Sequence, residues 1–163
     1  MEIRPATASD IEGIQRVARR SWSETYADLL DADVIEETVG EWYDDESLQN
    51  ACDKPGVTLL VAVDDEVVGF CHGVLNEDEG DVLRLYVDPD RWHEGIGRRL
   101  LDRVRSDLED FNMRRMRAMA LADNAVGDEF YREYGFEKTG EGEVELGGKR
   151  YAENVYTQEF ATG

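Results

Sequence analysis

The stretch from Leu83 to Leu101, LRLYVDPDRWHEGIGRRLL, limits what this chain can fold into more than any other segment. It opens as an apolar strand, breaks at Asp88-Pro89, turns through Gly95 and Gly97, and resumes as a helix. A strand feeding a glycine turn at a helix start gathers unbonded backbone N–H groups around one point. The positive end of the helix dipole falls at the same place, so the loop suits a phosphate or pyrophosphate. Short glycine patterns occur in unrelated folds, so the flanking elements must decide which fold this loop serves.

Periodicity supplies those elements. Glu2 to Arg4 reads as a short strand, and Ser9 with Glu12 reads as a capping box for a helix carrying Ile11, Ile14, Val17 and Ala18 on one face. Trp22 to Asn50 is helical in character but broken. Thr58 to Val63 and Val67 to Leu75 form a hairpin around Asp64-Asp65-Glu66, and Asp81 to Val87 follows as a further strand. After the glycine turn, Ile96, Leu100, Val104, Leu108 and Phe111 draw one apolar helical stripe. Arg115 to Ala122 is a strand, Val126 to Tyr134 a short helix closed by Gly135, and the last hairpin turns at Gly147-Gly148. The expected order is β-α-α-β-β-β-α-β-α-β-β. This is not the βαβ alternation of a doubly wound dinucleotide fold, and no GxxxxGK[ST] is present.

Composition narrows the rest. At 163 residues, one domain with its own core is expected. No long apolar run offers a membrane span, and the N-terminus lacks the basic and apolar regions of a secretory leader, so the expected location is the cytoplasm. Cys52 and Cys71 read as free thiols, and His72 and His93 have no spacing that forms a metal cage. The net charge of −20 argues against nucleic acid as a partner, because a polyanion would be repelled over most of the surface. With fifteen arginines against only Lys54, Lys138 and Lys149, the chain looks like a protein of a salt-accumulating halophile. At about 1 M salt the Debye length is about 3 Å, so such surface repulsion is largely screened. Nine of the fifteen arginines nevertheless lie between Arg84 and Arg117, a local excess that suits a polyanionic ligand.

Two separate motifs complete the picture. Val87-Asp88-Pro89 leads to Trp92-His93-Glu94-Gly95-Ile96-Gly97, and one helix plus one strand later come Asn124, Gly127, Phe130, Tyr131, Gly135 and Phe136. In this order the chain resembles the GNAT superfamily of acyl-CoA-dependent N-acetyltransferases over nearly its whole length. Trp92 stands where that family usually has Gln or Arg, and Glu94 adds a negative charge beside the glycines. The resemblance implies an α/β (α+β) fold: one domain over residues 1–163 with a mixed, mostly antiparallel sheet flanked by helices.

It also implies a function, acetyl transfer from acetyl-CoA to a primary amine by direct attack through a tetrahedral intermediate, with no metal. The acceptor would be a small amine such as a polyamine, or a protein amino group. Leu85, Tyr86 and Val87 would align the pantetheine arm. The amides of Trp92, His93, Glu94, Gly95, Ile96 and Gly97, with Arg98 and Arg99, would hold the pyrophosphate, and Asn124 and Tyr131 complete the cofactor side. Tyr131 matches the position of the family's general acid, and Asp81 that of the strand carboxylate serving as general base, with Glu77, Asp78 and Glu79 as competitors. Trp22 and Tyr26 fall where the acceptor pocket is built, near Trp42 and Tyr43. Many members of the family are homodimers. A non-catalytic acyl-CoA-binding or sensing module, or a structural partner using the aromatic helical region, are the alternatives.

Overall fold

The computed structural model describes residues 1–160. Its strands are β1 (Glu2–Pro5), β2 (Val57–Asp64), β3 (Glu66–Asn76), β4 (Glu79–Val87), β5 (Arg115–Leu121), β6 (Glu137–Leu146) and β7 (Lys149–Glu159). They form one sheet in the order β1-β2-β3-β4-β5-β7-β6. Every pairing is antiparallel except β4 with β5, which run parallel. The helices are α1 (Ile11–Tyr26), α2 (Ala32–Trp42), α3 (Asp45–Asp53), α4 (Ile96–Asp110) and α5 (Ala125–Tyr134).

The mixed, mostly antiparallel sheet is the one expected, with one helix more than the pattern showed. The broken segment holds α2 and α3 separately because Asp31 and Asp44 each interrupt the helix with extended backbone. Acidic residues then open each new first turn, where the helix dipole favours them. The box expected at Ser9 and Glu12 sits at Thr7 and Asp10 instead. Asp10 accepts the Thr7 N–H at 2.9 Å and two hydrogen bonds from Arg4 at 2.7 and 3.0 Å. A single 3₁₀ turn, Ala8–Asp10, precedes α1 and shifts the cap by two residues.

Helices α1 to α3 cover one face of the sheet, with Ile14, Val17, Trp22 and Phe70 among the buried side chains. On the other face, α4 and α5 cover Leu60, Met116, Ala118 and Tyr156. The α4 stripe is buried as expected at Ile96, Leu100, Val104 and Leu108. Phe111 leaves it: the helix stops at Asp110, and this ring is exposed. Fully burying each Leu or Ile contributes about 1.5–3 kcal/mol, so the four retained positions fix α4 to the sheet.

Parallel strands β4 and β5 pair only at Glu79–Val82 with Arg115–Ala118, and past that point they splay. Ion pairs clasp the closed end. Glu79 meets Arg115 at 3.4 Å and Arg117 at 3.3 Å, and Asp81 meets Arg117 at 2.8 Å. A bulge in β4 lies where the clasp ends: Gly73 pairs with Val82 and His72 with Arg84, leaving Leu83 without a partner on β3. The extra residue reverses the alternation of side chains. Before it, Gly80 lies against Leu108 of α4; after it, Leu85 packs with the α4 cluster and Tyr86 with the α1 cluster.

Candidate active site

The splay opens a cleft of about 570 Å³, lined by Leu83 to Val87 of β4, Met119 and Ala120 of β5, the loop before α4, and residues of α5. Because β4 lacks a neighbour there, the backbone of Leu83 to Val87 presents its hydrogen-bonding groups to the cleft on the side away from β3. A strand edge of this kind pairs with an extended ligand carrying amides.

At one end of the cleft the loop forms an anion cradle. His93 and Gly95 both adopt left-handed backbone, with φ of 67° and 82°. Successive left-handed turns aim neighbouring N–H groups into one concavity. The first helical hydrogen bond of α4 runs from Arg99 N–H to the Gly95 carbonyl at 3.1 Å, so the amides of Ile96, Gly97 and Arg98 have no helical acceptor. Gly97 also lets α4 approach α5, since a Cβ there would come within 3.1 Å of the Phe130 ring.

Trp92 and Glu94 acquire structural reasons. The Trp92 indole N–H donates to the Val87 carbonyl at 2.8 Å, and Ser21 Oγ donates to the same oxygen at 2.9 Å. The indole thus holds the loop against the strand end. Glu94 lies outside the cleft lining and accepts from Arg91 at 3.0 Å, while Arg91 also bonds Asp64 at 2.8 Å. Its charge is therefore balanced beside the cradle.

Arginine pairing marks the same region. Among the described residues Arg84, Arg98 and Arg99 form no ion pair, whereas every other arginine does. Arg98 lines the cleft and sits 5.7 Å from the Tyr134 ring; Arg99 is exposed one residue on, outside the lining. Arg84 lines the cleft with its guanidinium over Trp42 at 4.7 Å and Tyr43 at 5.2 Å. In a chain with 38 acidic residues, the unpaired Arg98 guanidinium beside a cradle of free amides suits a phosphate-like anion.

At the other end, tyrosines line the cleft. Tyr26 at the end of α1 lies 3.3 Å, hydroxyl to hydroxyl, from Tyr86 and accepts from the Asn124 side-chain amide at 3.3 Å. Asn124 in turn caps α5 by accepting the Gly127 N–H at 2.8 Å. Tyr131 is 5% exposed and packs against Phe130, Phe136 and Tyr156. Burial pushes its phenol well above the usual tyrosine range, with the Cys71, Tyr26 and Tyr156 fields adding to the shift. The phenol therefore stays protonated at neutral pH.

Besides Glu94 and Arg99, two more expected site residues lie outside the lining. Trp22 is 2% exposed and belongs to the core, against Tyr26, Trp42 and Tyr86; Tyr26, one turn further on, is the residue that reaches the cleft. Asp81 is also outside the lining, and both its oxygens accept from Arg117, at 2.8 and 2.9 Å. Its competitors Asp78 and Glu79 are paired with the same arginine row. With both oxygens bonded to Arg117 and none facing the cleft, the Asp81 carboxylate is not placed to meet an acceptor there. Sequence reasoning also passed over Glu153 on β7, whose field reaches Tyr26 and whose carboxyl is pushed up by burial. The signal was its parity with Tyr151 and Val155, one residue off the buried Asn154 and Tyr156.

The profile of the acetyltransferase (GNAT) family matches residues 14–136. The chain belongs to the GNAT acetyltransferase family. A spermidine N(1)-acetyltransferase of Thermoplasma acidophilum is 30% identical over 141 residues, 83% of this chain and 88% of that protein. The crystal structure of a PaiA N-acetyltransferase from T. acidophilum in complex with coenzyme A superposes with a TM-score of 0.87 at 27% identity, over 98% of each chain. The fold is shared more widely. A GCN5-related N-acetyltransferase structure from Rhodopseudomonas palustris gives 0.81 at 21% identity, covering 98% of this chain and 95% of that one. The ribosomal-protein-S18-alanine N-acetyltransferase of Escherichia coli gives 0.74 at 14% identity, covering 99% and 95%. This GNAT protein is accordingly an acyltransferase that uses acetyl-CoA. No helix among its described residues is long and apolar enough to cross a membrane, and no cluster there has three His, Cys, Asp or Glu side chains placed to hold a metal ion.

Proposed function

We propose that the chain acetylates a primary amine, with a polyamine as the first acceptor class to examine and a protein amino group as the second. The observation that supports this most is the continuity of the cleft, from an anion cradle through an open strand edge to a tyrosine cluster. Acetyl-CoA supplies an activated acetyl thioester. The cradle amides from His93 to Gly97, with Arg98, hold the pyrophosphate, and Arg99 awaits the outer phosphates. The β4 edge aligns the pantetheine arm, and a β4 amide beside the bulge donates to the carbonyl oxygen as it gains charge. Tyr131 protonates the departing thiolate. The resemblance to a spermidine acetyltransferase supports the polyamine reading. The acidic surface supports a protein adapted to concentrated salt in the cytoplasm.

Thiol release from acetyl-CoA in concentrated potassium chloride tests this, with spermidine and an alanine-terminated peptide as acceptors. Turnover on either supports the reading. Acetyl-CoA binding without turnover on any amine would make the chain a cofactor sensor, and absence of binding would refute both.

A further inference from the structure

With Asp78, Glu79 and Asp81 all engaged by arginines, the strand position from which a carboxylate would serve the acceptor amine is spoken for. The cleft lining itself holds only two carboxylates, Glu129 and Glu133, both exposed on α5. Neither lies on the α1 side of the sheet, where Tyr26 and Tyr86 stand.

Glu153 does. On β7, Asn154 and Tyr156 are buried toward α4 and α5, with the Tyr156 hydroxyl donating to Asp128 of α5 at 2.7 Å. Strand alternation therefore turns Tyr151, Glu153 and Val155 to the opposite face, where Tyr151 packs on the α1 cluster. Glu153 pairs across the sheet with Leu121, at the free end of β5 beside the splay. Its other neighbour is Gly142 on β6, where a Cβ would meet nothing within 4 Å. The carboxylate is half-buried, forms no ion pair or hydrogen bond among the described residues, and its field reaches Tyr26 in the cleft. Burial alone pushes it up, and among the described residues it is the one carboxyl group shifted that way; Asp10, Asp64, Asp128 and Glu141 all move down.

We infer that Glu153 is the carboxylate that receives the acceptor's ammonium group and takes a proton from it. The assignment rests on the N-acetyltransferase reading above. The acceptor N–H proton passes to a Glu153 oxygen, directly or through one water. The freed nitrogen pair forms the C–N bond with the thioester carbonyl carbon, and the C–S pair leaves on sulfur. Sulfur takes the Tyr131 phenol proton. The nitrogen's second proton returns to Tyr131 through solvent, and Glu153 gives its proton to bulk, so each turnover of an ammonium acceptor releases one proton. The open space at Gly142 leaves room for the rest of the acceptor, with a carboxylate suited to a cationic chain.

The test compares Glu153→Gln and Glu153→Asp with the wild type, using whichever of spermidine and the alanyl peptide the wild type turns over faster. Glu153→Gln is expected to lower kcat/KM for the acceptor by about 10²-fold, the usual size of a general-base contribution, with CoA affinity by calorimetry unchanged. Glu153→Asp is expected to restore part of the rate, because it keeps the basic oxygen on a shorter stem. Wild-type-like turnover by Glu153→Gln would overturn the assignment and leave the acetyltransferase reading intact. A parallel fall in CoA affinity, or equal losses in both variants, would overturn it by making Glu153 a packing residue. A wild type that turns over no amine would remove the parent reading and this inference together.

Discussion

Arg117 on β5 grips Asp81 on β4 with two hydrogen bonds, from Nε at 2.8 Å and from a terminal nitrogen at 2.9 Å. The pair sits on the last rungs before β4 and β5 separate, so it sets where the cleft begins. Its two halves are not equivalent. Asp81→Asn leaves Arg117 with Glu79 at 3.3 Å, whereas Arg117→Met leaves the buried Asp81 without a partner while Glu79 keeps Arg115 at 3.4 Å. Asp81→Asn is expected to cost about 1–2 kcal/mol and Arg117→Met about 3 kcal/mol, measured by chemical denaturation. Acetyl transfer per folded molecule should survive Asp81→Asn. A hundredfold loss there would return Asp81 to the role of base.

Gly13 lies inside α1, where glycine ordinarily weakens a helix by about 1 kcal/mol relative to alanine. Here a Cβ would stand 2.8 Å from Val67 Cβ on β3, an atom that cannot swing aside. Overpacking of this kind typically costs about 1–3 kcal/mol, so it exceeds the propensity gain. Gly13→Ala should therefore lower the Tm, and a rise would show that α1 can lift off the sheet without loss.

His72 gives a pH signature. Burial, with the Arg84 charge adding to it, pushes its imidazole down to about 4 from an ordinary value near 6.5. Between those values the unfolded chain binds a proton that the folded chain refuses, so stability rises with pH across this window. Its contribution is complete above about pH 6.5 and is lost as pH falls toward 4, by up to about 3 kcal/mol. His72→Gln should flatten that part of the curve of unfolding free energy against pH, and an unchanged slope would place the acid sensitivity in carboxylates such as Asp10.

Much of this was legible in the chain because local chemistry and tertiary outcome agree. The α4 stripe, the left-handed Gly95, Asn124 at the start of α5 and Gly135 at its end each follow from one physical requirement at one position. What escaped depends on partners distant in sequence. Asp81 matches the position of a catalytic carboxylate until Arg117, 36 residues away, is seen to bind it. Trp22 and Tyr26 share a helix face by spacing, yet only a view of the helix end separates core from cleft. Glu153 was hidden because one acid among 38 carries no signal until its burial and the glycine opposite are known.

Tyr131→Phe removes one oxygen from a ring that is otherwise fully packed, so the fold should be indifferent to it. With the phenol as proton donor to the leaving thiolate, kcat is expected to fall about 10²-fold when chemistry limits turnover. Acetyl-CoA affinity should not change. An unchanged kcat in single-turnover measurements would assign this tyrosine to packing alone.

Salt should act in opposite directions on stability and on cofactor binding. The net charge of −20 repels itself, and added salt screens that repulsion, so the Tm should rise with potassium chloride concentration. In the proposed binding mode coenzyme A would meet the unpaired Arg98 and Arg99 at the cradle, and the same screening would weaken that attraction. Its Kd should therefore rise with salt while the protein becomes more stable. Replacing both arginines by alanine should raise the Kd by about 10-fold or more in low salt, as expected for losing two charge-assisted contacts at about 1.5–3 kcal/mol before solvent screening discounts them. It should also flatten the salt dependence. A double variant that binds as tightly as the wild type, with the same salt slope, would show that the backbone amides of the loop hold the pyrophosphate unaided.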